Sequence, residues 1–231
     1  MQLPILYCDE HLVAIHKPSG LLVHRSAISQ DRVFALQGLR DQLGRRVYPI
    51  HRLDRATSGV LLFGLDSASA RAVAAQFESH QVSKRYRALA RGWVDERGSI
   101  EHALRDEEGN RGLQPARTRY RCLHRVELAH AVDRYPSARY SLVEVEPLTG
   151  RRQQIRKHFK HISHHLIGDT THGNGRHNRF FREHYGIHRL MLTAQQLNVV
   201  HPVSGEPLEL RALPEPEWLR LFQAFGWDGS E

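Results

Sequence analysis

Two periodicities alternate along this chain. Leu12-Val13-Ala14-Ile15 is a short β-rich run, Lys17-Pro18-Ser19-Gly20 makes a turn, and Leu21 to His24 resumes an extended pattern, which predicts a strand–turn–strand unit. Asp31 is placed to cap a helix that runs to about Leu43, with Gly44 to end it. Val60 to Phe63 predicts a buried strand, and Ser67 caps an Ala-rich helix to about Ser79 with Val73 and Phe77 on one face. Further strands are predicted over Arg85–Arg91, Thr118–Cys122 and Tyr140–Val145, followed by a basic helix over Arg152–His161. Asn198 to His201 and Pro207 to Leu210 flank Val203-Ser204-Gly205-Glu206 as a hairpin, and a last helix near Glu217–Phe225 carries Trp218, Leu221 and Phe225.

Most strands succeed one another without an intervening helix. That order favours an α+β fold with a mixed, mostly antiparallel sheet and flanking helices over a doubly wound one. Asp95–Pro115 and His172–Tyr185 read as mobile loops or insertions, and neither resembles a linker. Residues 1–231 are therefore expected to form a single domain.

Composition narrows the function classes. No stretch approaches the roughly 20 apolar residues of a membrane helix, and the N-terminus lacks the order of a signal peptide. Cys8 and Cys122 stand far apart, so no disulfide framework or clustered Cys metal site is implied, and a cytoplasmic location is the default. Thirty-three Lys and Arg oppose 25 Asp and Glu, for a net charge of +8. Between Gly150 and Arg189 lie nine Lys or Arg residues and two acids, Asp169 and Glu183, a net of +7, together with eight of the 17 histidines. Such a cluster suits a polyanion, because phosphates are held by grouped cations and binding is driven by counterion release; a solvated basic face is the plainer alternative.

The segment His51-Arg52-Leu53-Asp54-Arg55-Ala56-Thr57-Ser58-Gly59 is a polar loop running into an apolar strand. Two flanking arginines favour the charged form of Asp54, and an ionised carboxylate can act as a nucleophile. Thr57, Ser58 and Gly59 can turn the backbone and fix the loop. A structural Arg–Asp cluster would carry the same pattern, and spacing alone does not separate the two.

This segment resembles the HRLDxxTSG signature of the RluA-type pseudouridine synthases. Further segments match in that family's order: KPSGLLVH (Lys17–His24), KRYRALARG (Lys84–Gly92), GRRQQIRKH (Gly150–His158), HLIGDTTHG (His165–Gly173) and RLMLTAQQL (Arg189–Leu197). The chain is most similar to the short, tRNA-modifying C subgroup, which has no N-terminal S4 domain, and none is expected here. Three positions depart from the family pattern: Gln153 stands where His is usual, His172 where Tyr is usual, and Thr193 where His is frequent.

The resemblance implies a pseudouridine synthase fold with a central catalytic cleft. It also implies an isomerase that converts a uridine in the T-stem of tRNA, with ribosomal RNA as the alternative substrate and an inert RNA-binding protein as the alternative class. Asp54 would be the nucleophile, Tyr86 would stack on the uracil, and Arg156 would pair with Asp54. Ile155 would pack on the base, while Arg52 would enter the space that a flipped base vacates. His51, Arg55, Thr57 and Arg151 complete the expected substrate-binding set, with His51 orienting the loop. His158, His161, His164 and His165 have a spacing that could hold a metal, yet the isomerisation needs none. Neither a cofactor nor an obligate protein partner is expected.

Overall fold

A computed structural model describes residues 1–24, 33–105 and 112–228. In chain order the elements are β1 (Ile5–Cys8), β2 (Leu12–Lys17), α1 (Ala35–Leu43), β3 (Tyr48–Pro49), β4 (Ser58–Gly64), α2 (Ser67–Glu78), β5 (Ser83–Arg91), β6 (Arg97–Glu101), β7 (Leu104–Arg105) and β8 (Leu113–Gln114). They continue with β9 (Arg117–Leu128), β10 (Ala138–Pro147), α3 (Gln154–His161), α4 (Gly175–Tyr185), β11 (Leu192–Val200), β12 (Pro207–Arg211) and α5 (Pro216–Phe225). The fold is α+β. The chain divides into two compact units, one comprising Met1–Arg85 with Thr193–Ala212, the other Tyr86–Leu192 with Leu213–Glu231.

In the first unit β1, β2, β4 and β11 lie side by side, with β3 on β4 and β12 on β11. All these pairings are antiparallel except β4–β11, so the sheet is mixed. Strand β4 is buried at all seven of its residues, which is why it reads as a continuous apolar run rather than an alternation. Leu12, Ala14, Val60, Leu62, Val73 and Leu197 form one core cluster, so β2, β4, β11 and α2 share an apolar face. The cap of α2 is Asp66, one residue before the expected Ser67. Its carboxylate accepts from the Ala68 and Ser69 amides at 2.9 and 2.8 Å.

In the second unit β5, β10, β9 and β6 form an antiparallel series. Leu89, Tyr140, Leu142, Phe181, Trp218 and Leu221 centre its core, joining the sheet to α4 and α5. Trp218 and Leu221 are fully buried, one helical turn apart, and set the inward face of α5. Among the described residues no helix is long and apolar enough to cross a membrane.

Three expectations change. Residues 172–185 are not a loop: Gly175–Tyr185 is helix α4, capped by Asn174 Oδ1 accepting from the Arg176 amide at 3.0 Å and closed by left-handed Gly186. The Gly- and charge-rich 95–115 stretch holds β6 and the β7–β8 pair. Leu21–His24 forms no second strand, only an isolated bridge from Leu22 to Phe34. Helix α1 ends on left-handed Gly44 as expected, whereas the cap assigned to Asp31 lies outside the described residues.

Removing the Trp218 side chain should expose the consequences of that core directly. Trp218→Ala is expected to cost about 3–5 kcal/mol of unfolding free energy in urea titrations. A loss below about 1 kcal/mol would show that α5 is not seated as described.

Candidate active site

The first unit presents the loop that carries Asp54. Its backbone closes a turn in which the Thr57 amide donates to the Asp54 carbonyl at 3.1 Å, leaving Asp54 half-buried between buried Leu53 and exposed Arg55. Thr57 itself is buried, and Arg52 is exposed. The segment Lys17–Leu21 grips this turn. Lys17 is fully buried, and its ammonium donates to the carbonyls of Pro18, Leu21 and Arg55 at 2.8, 2.8 and 3.2 Å. Ser19 Oγ donates to the Ala56 carbonyl at 2.7 Å, the Gly20 amide to the Arg55 carbonyl at 2.8 Å, and Arg55 Nε to the Gly20 carbonyl at 3.1 Å. An ammonium withdrawn from water needs such a ring of acceptors, and here the ring includes the Asp54 loop.

His51 fixes the other end. Its Nε2 accepts from the Leu62 amide of β4 at 3.1 Å, which puts the ring proton on Nδ1, and the ring stacks on Phe77 at 4.9 Å. Burial, with the Lys84 charge adding to it, pushes its pKa down to about 3, so the ring is neutral and acts as an orienting group.

The Thr-Ser-Gly sequence has a mechanical explanation. Ser58 and Thr193 face each other across the parallel β4–β11 register, with their hydroxyls 2.9 Å apart and buried. Gly59 is opposite Ala194 at φ +109°, and a Cβ there would lie 2.2 Å from the Ala194 carbonyl oxygen. Only glycine permits that approach.

The second unit presents Tyr86 and the entrance of α3. Tyr86 is half-buried on β5, paired with Val145 of β10. At the entrance, Gln154 is a knot the sequence reading did not single out. Its Oε1 accepts from the Thr149 hydroxyl at 2.6 Å and the Arg151 amide at 3.0 Å, and its Nε2 donates to the Arg117 carbonyl and the Thr118 hydroxyl. Arg151 is exposed and donates through Nε to the Pro115 carbonyl at 3.2 Å. Ile155 is buried.

Arg156 is not on a solvated face. Its side chain is 6% exposed, and Nε and one terminal nitrogen grip both oxygens of Asp169, each at 2.7 Å; the carboxylate side chain is 1% exposed. Asp169 Oδ1 also accepts the Thr171 and His172 amides, both at 2.9 Å. Burial pushes this carboxyl up, but the Arg156 hydrogen bonds, the Arg156 charge and the two amides outweigh it, so Asp169 stays below its ordinary range. Asn178 of α4 completes the turn, accepting from the Gly168 amide and donating to the Asp169 carbonyl, both at 2.8 Å.

The three departures from the family pattern are all hydrogen-bonded. Thr193 holds Ser58, while Gln153 Oε1 and His172 Nε2 lie 2.8 Å apart, so two departures are each other's partners. The four histidines of 158–165 serve separate tasks. His158 is buried between the Thr118 hydroxyl and the His102 carbonyl, His161 stacks on His102, and His164 Nδ1 meets the Arg91 carbonyl. The His165 carbonyl accepts from the Arg91 amide. Of the basic window, Arg151, Arg152, Lys160, Arg176, Arg179 and Arg182 are exposed, Arg176 while paired with Asp133. Arg156 and Arg189 are drawn into ion pairs, the latter with Glu215 and Glu217.

A family model described as RNA pseudouridylate synthase matches residues 11–161, a span that contains the Asp54 loop, Tyr86 and the Arg156 helix. The chain belongs to the RNA pseudouridylate synthase family. Among similar members, tRNA pseudouridine synthase C of Pectobacterium carotovorum subsp. carotovorum is 50% identical over 237 residues, covering 98% of this chain; the chain spans 63% of that longer relative. The protein of the same name from Yersinia pestis is 47% identical, covering 98% of this chain and 92% of its own. Of solved structures, Human RNA Pseudouridylate Synthase Domain Containing 1 superposes with a TM-score of 0.73 at 27% identity, over 93% of this chain and 84% of that one. Human RNA Pseudouridylate Synthase Domain Containing 4, at a TM-score of 0.75 and 22% identity, has the same fold.

Two tests address how this synthase holds its loop. Gly59→Ala should destabilise the protein by about 4 kcal/mol or abolish soluble folded material, as read by denaturant titration; near-wild-type stability would refute the close approach of β11. His51 resists protonation when folded but would take a proton near 6.5 when unfolded, so its contribution is complete above that pH and declines as pH falls towards about 3. His51→Gln keeps an acceptor for the Leu62 amide and should flatten the fall in stability between pH 7 and about 5. Equal slopes for the two proteins would contradict this.

Proposed function

We propose that this chain isomerises a uridine of tRNA to pseudouridine, with Asp54 as the nucleophile. The observation that carries the reading is the Asp54 loop itself. It is a half-buried carboxylate on a turn gripped by Lys17, Ser19 and Gly20, with His51 anchored to β4 at the start of the segment. The relatives named for tRNA support the substrate class, and the exposed arginines and Lys160 of α3, its entrance and α4 supply cations for a phosphate backbone.

In this reading Asp54 attacks the target nucleoside at uracil C6 or ribose C1′. The N1–C1′ bond breaks, the base rotates, C5 bonds to C1′, and the bond to Asp54 breaks to return its carboxylate. The C5 hydrogen leaves as a proton and N1 ends protonated, so the reaction needs no redox partner and no water. Tyr86 provides a ring for the flipped uracil, Ile155 an apolar contact, and Arg52 a planar cation for the vacated space. Arg156 is assigned the pairing with Asp54, its guanidinium already oriented by Asp169. Arg55, Thr57, His51 and Arg151 serve by shaping the loop and the α3 entrance. The T-stem is the proposed region of attack, and ribosomal RNA is the competing substrate.

Tritium release from C5-labelled uridine in a tRNA transcript tests the assignment. Wild type is expected to release label, and Asp54→Asn to be slower by at least about 10⁴-fold while still binding tRNA. Equal rates would remove Asp54 as nucleophile, release only from ribosomal RNA would move the substrate, and free uracil without pseudouridine would replace the isomerase with a hydrolase.

A further inference from the structure

Four residues at matched spacing stand out in the second unit. Gln153 and Arg156 are three apart at the start of α3, and Asp169 and His172 are three apart on the turn that faces it. Each of the first pair is held by one of the second: Arg156 by the Asp169 carboxylate, Gln153 by the His172 ring. The second contact is not incidental to the backbone. Gln153 has φ 55°, a left-handed conformation that a non-glycine residue adopts at some expense, and its carbonyl accepts the Lys157 amide at 2.9 Å, opening the helical ladder of α3. The turn carrying Asp169 and His172 is equally constrained, because a Cβ at Gly173 would lie 2.1 Å from the Asp169 carbonyl oxygen.

Gln154 and His158 tie α3 to Thr118 of β9, and the bidentate pair fixes the plane of the Arg156 guanidinium. The Gln153–His172 contact, three residues earlier, adds a second tie between the start of α3 and the Asp169 turn. We propose that Gln153 and His172 are positioning residues that lock the first turn of α3 against the Asp169 turn, so that Arg156 is presented at one fixed place. The inference rests on the proposed role of Arg156 in the reaction.

The latch makes a coupled prediction. His172→Phe and Gln153→Ala each remove one partner and should lower kcat for tritium release from tRNA by about ten- to a hundred-fold, the scale of a small misplacement, with little change in KM. Because both variants break the same contact, the double variant should be no worse than either single one. His172→Gln keeps a donor towards Gln153 and should recover most of the loss. The Arg156 Nε–H signal in ¹H–¹⁵N spectra, assigned by its absence in Arg156→Lys, should shift or broaden in the two single variants and return in His172→Gln. A lower melting temperature with unchanged kcat, additive losses in the double variant, or an unmoved Arg156 signal would each overturn the latch. The spectrum is read without turnover, so if wild type proves inactive on tRNA the substrate reading fails, while the Arg156 signal alone still decides for or against the latch.

Discussion

A guanidinium buried to 6% exposure needs a carboxylate, and in the second unit that requirement organises the chain from Thr149 to Asn178. Breaking such a pair by removing one partner leaves an uncompensated charge worth about 3–5 kcal/mol, more than most single contacts contribute. The rest of the region is arranged to keep the pair intact. Asp169 accepts from two nitrogens of Arg156 and from two backbone amides, three of these four bonds on Oδ1 and one on Oδ2. Asn178 ties the same turn to α4, and Gln154 ties the helix that bears Arg156 to β9. The outcome is a guanidinium whose plane and position are fixed by its protein partners.

The first unit meets the opposite problem, a polar loop that must be rigid without being dry. It is solved through the backbone. Lys17 collects three carbonyls, one of them from the loop, and the Gly20–Arg55 contacts run in both directions. The close β4–β11 approach at Gly59 then fixes where the loop leaves the sheet. A neutral His51 bonded to β4 adds a third anchor that does not change charge near neutral pH. Side chains of ordinary chemistry, in short, hold a carboxylate in place by spending backbone hydrogen bonds that a turn would otherwise give to water.

How much of this the sequence discloses depends on whether the signal is a pattern or a partnership. The strands β5, β9 and β10, the basic helix α3, the β11–β12 hairpin and the Trp218 helix all follow from periodicity and punctuation. Helix α4 does not, because its buried positions include His177 and Asn178 beside Phe180 and Phe181, and a face built from such residues among arginines has no apolar stripe to read. The Asp66 cap was displaced by one residue because Asp and Ser serve equally well before a helix. Within the site, the resemblance assigns roles to Asp54, Tyr86 and Arg156, whereas their supports lie inside the matched segments with no role attached. Lys17 donates to backbone carbonyls, which every residue possesses, and Gln154 works through five-residue and 36-residue separations at once. Asp169 did leave a trace: it is one of two acids in a window of nine Lys or Arg residues, and the other, Glu183, is exposed. A carboxylate alone among cations is a candidate for a buried partner, and that signal could have found it.

If Asp54 is the nucleophile, a uridine in tRNA changes only where Asp54 is present. Carbodiimide primer-extension mapping of tRNA and ribosomal RNA, from cells lacking the gene and complemented with wild type or Asp54→Asn, measures this most directly. The expected result is a single stop in the T-stem of tRNA that appears with wild type and is absent with Asp54→Asn. A stop restored equally by both proteins, or one that arises only in ribosomal RNA, would contradict it.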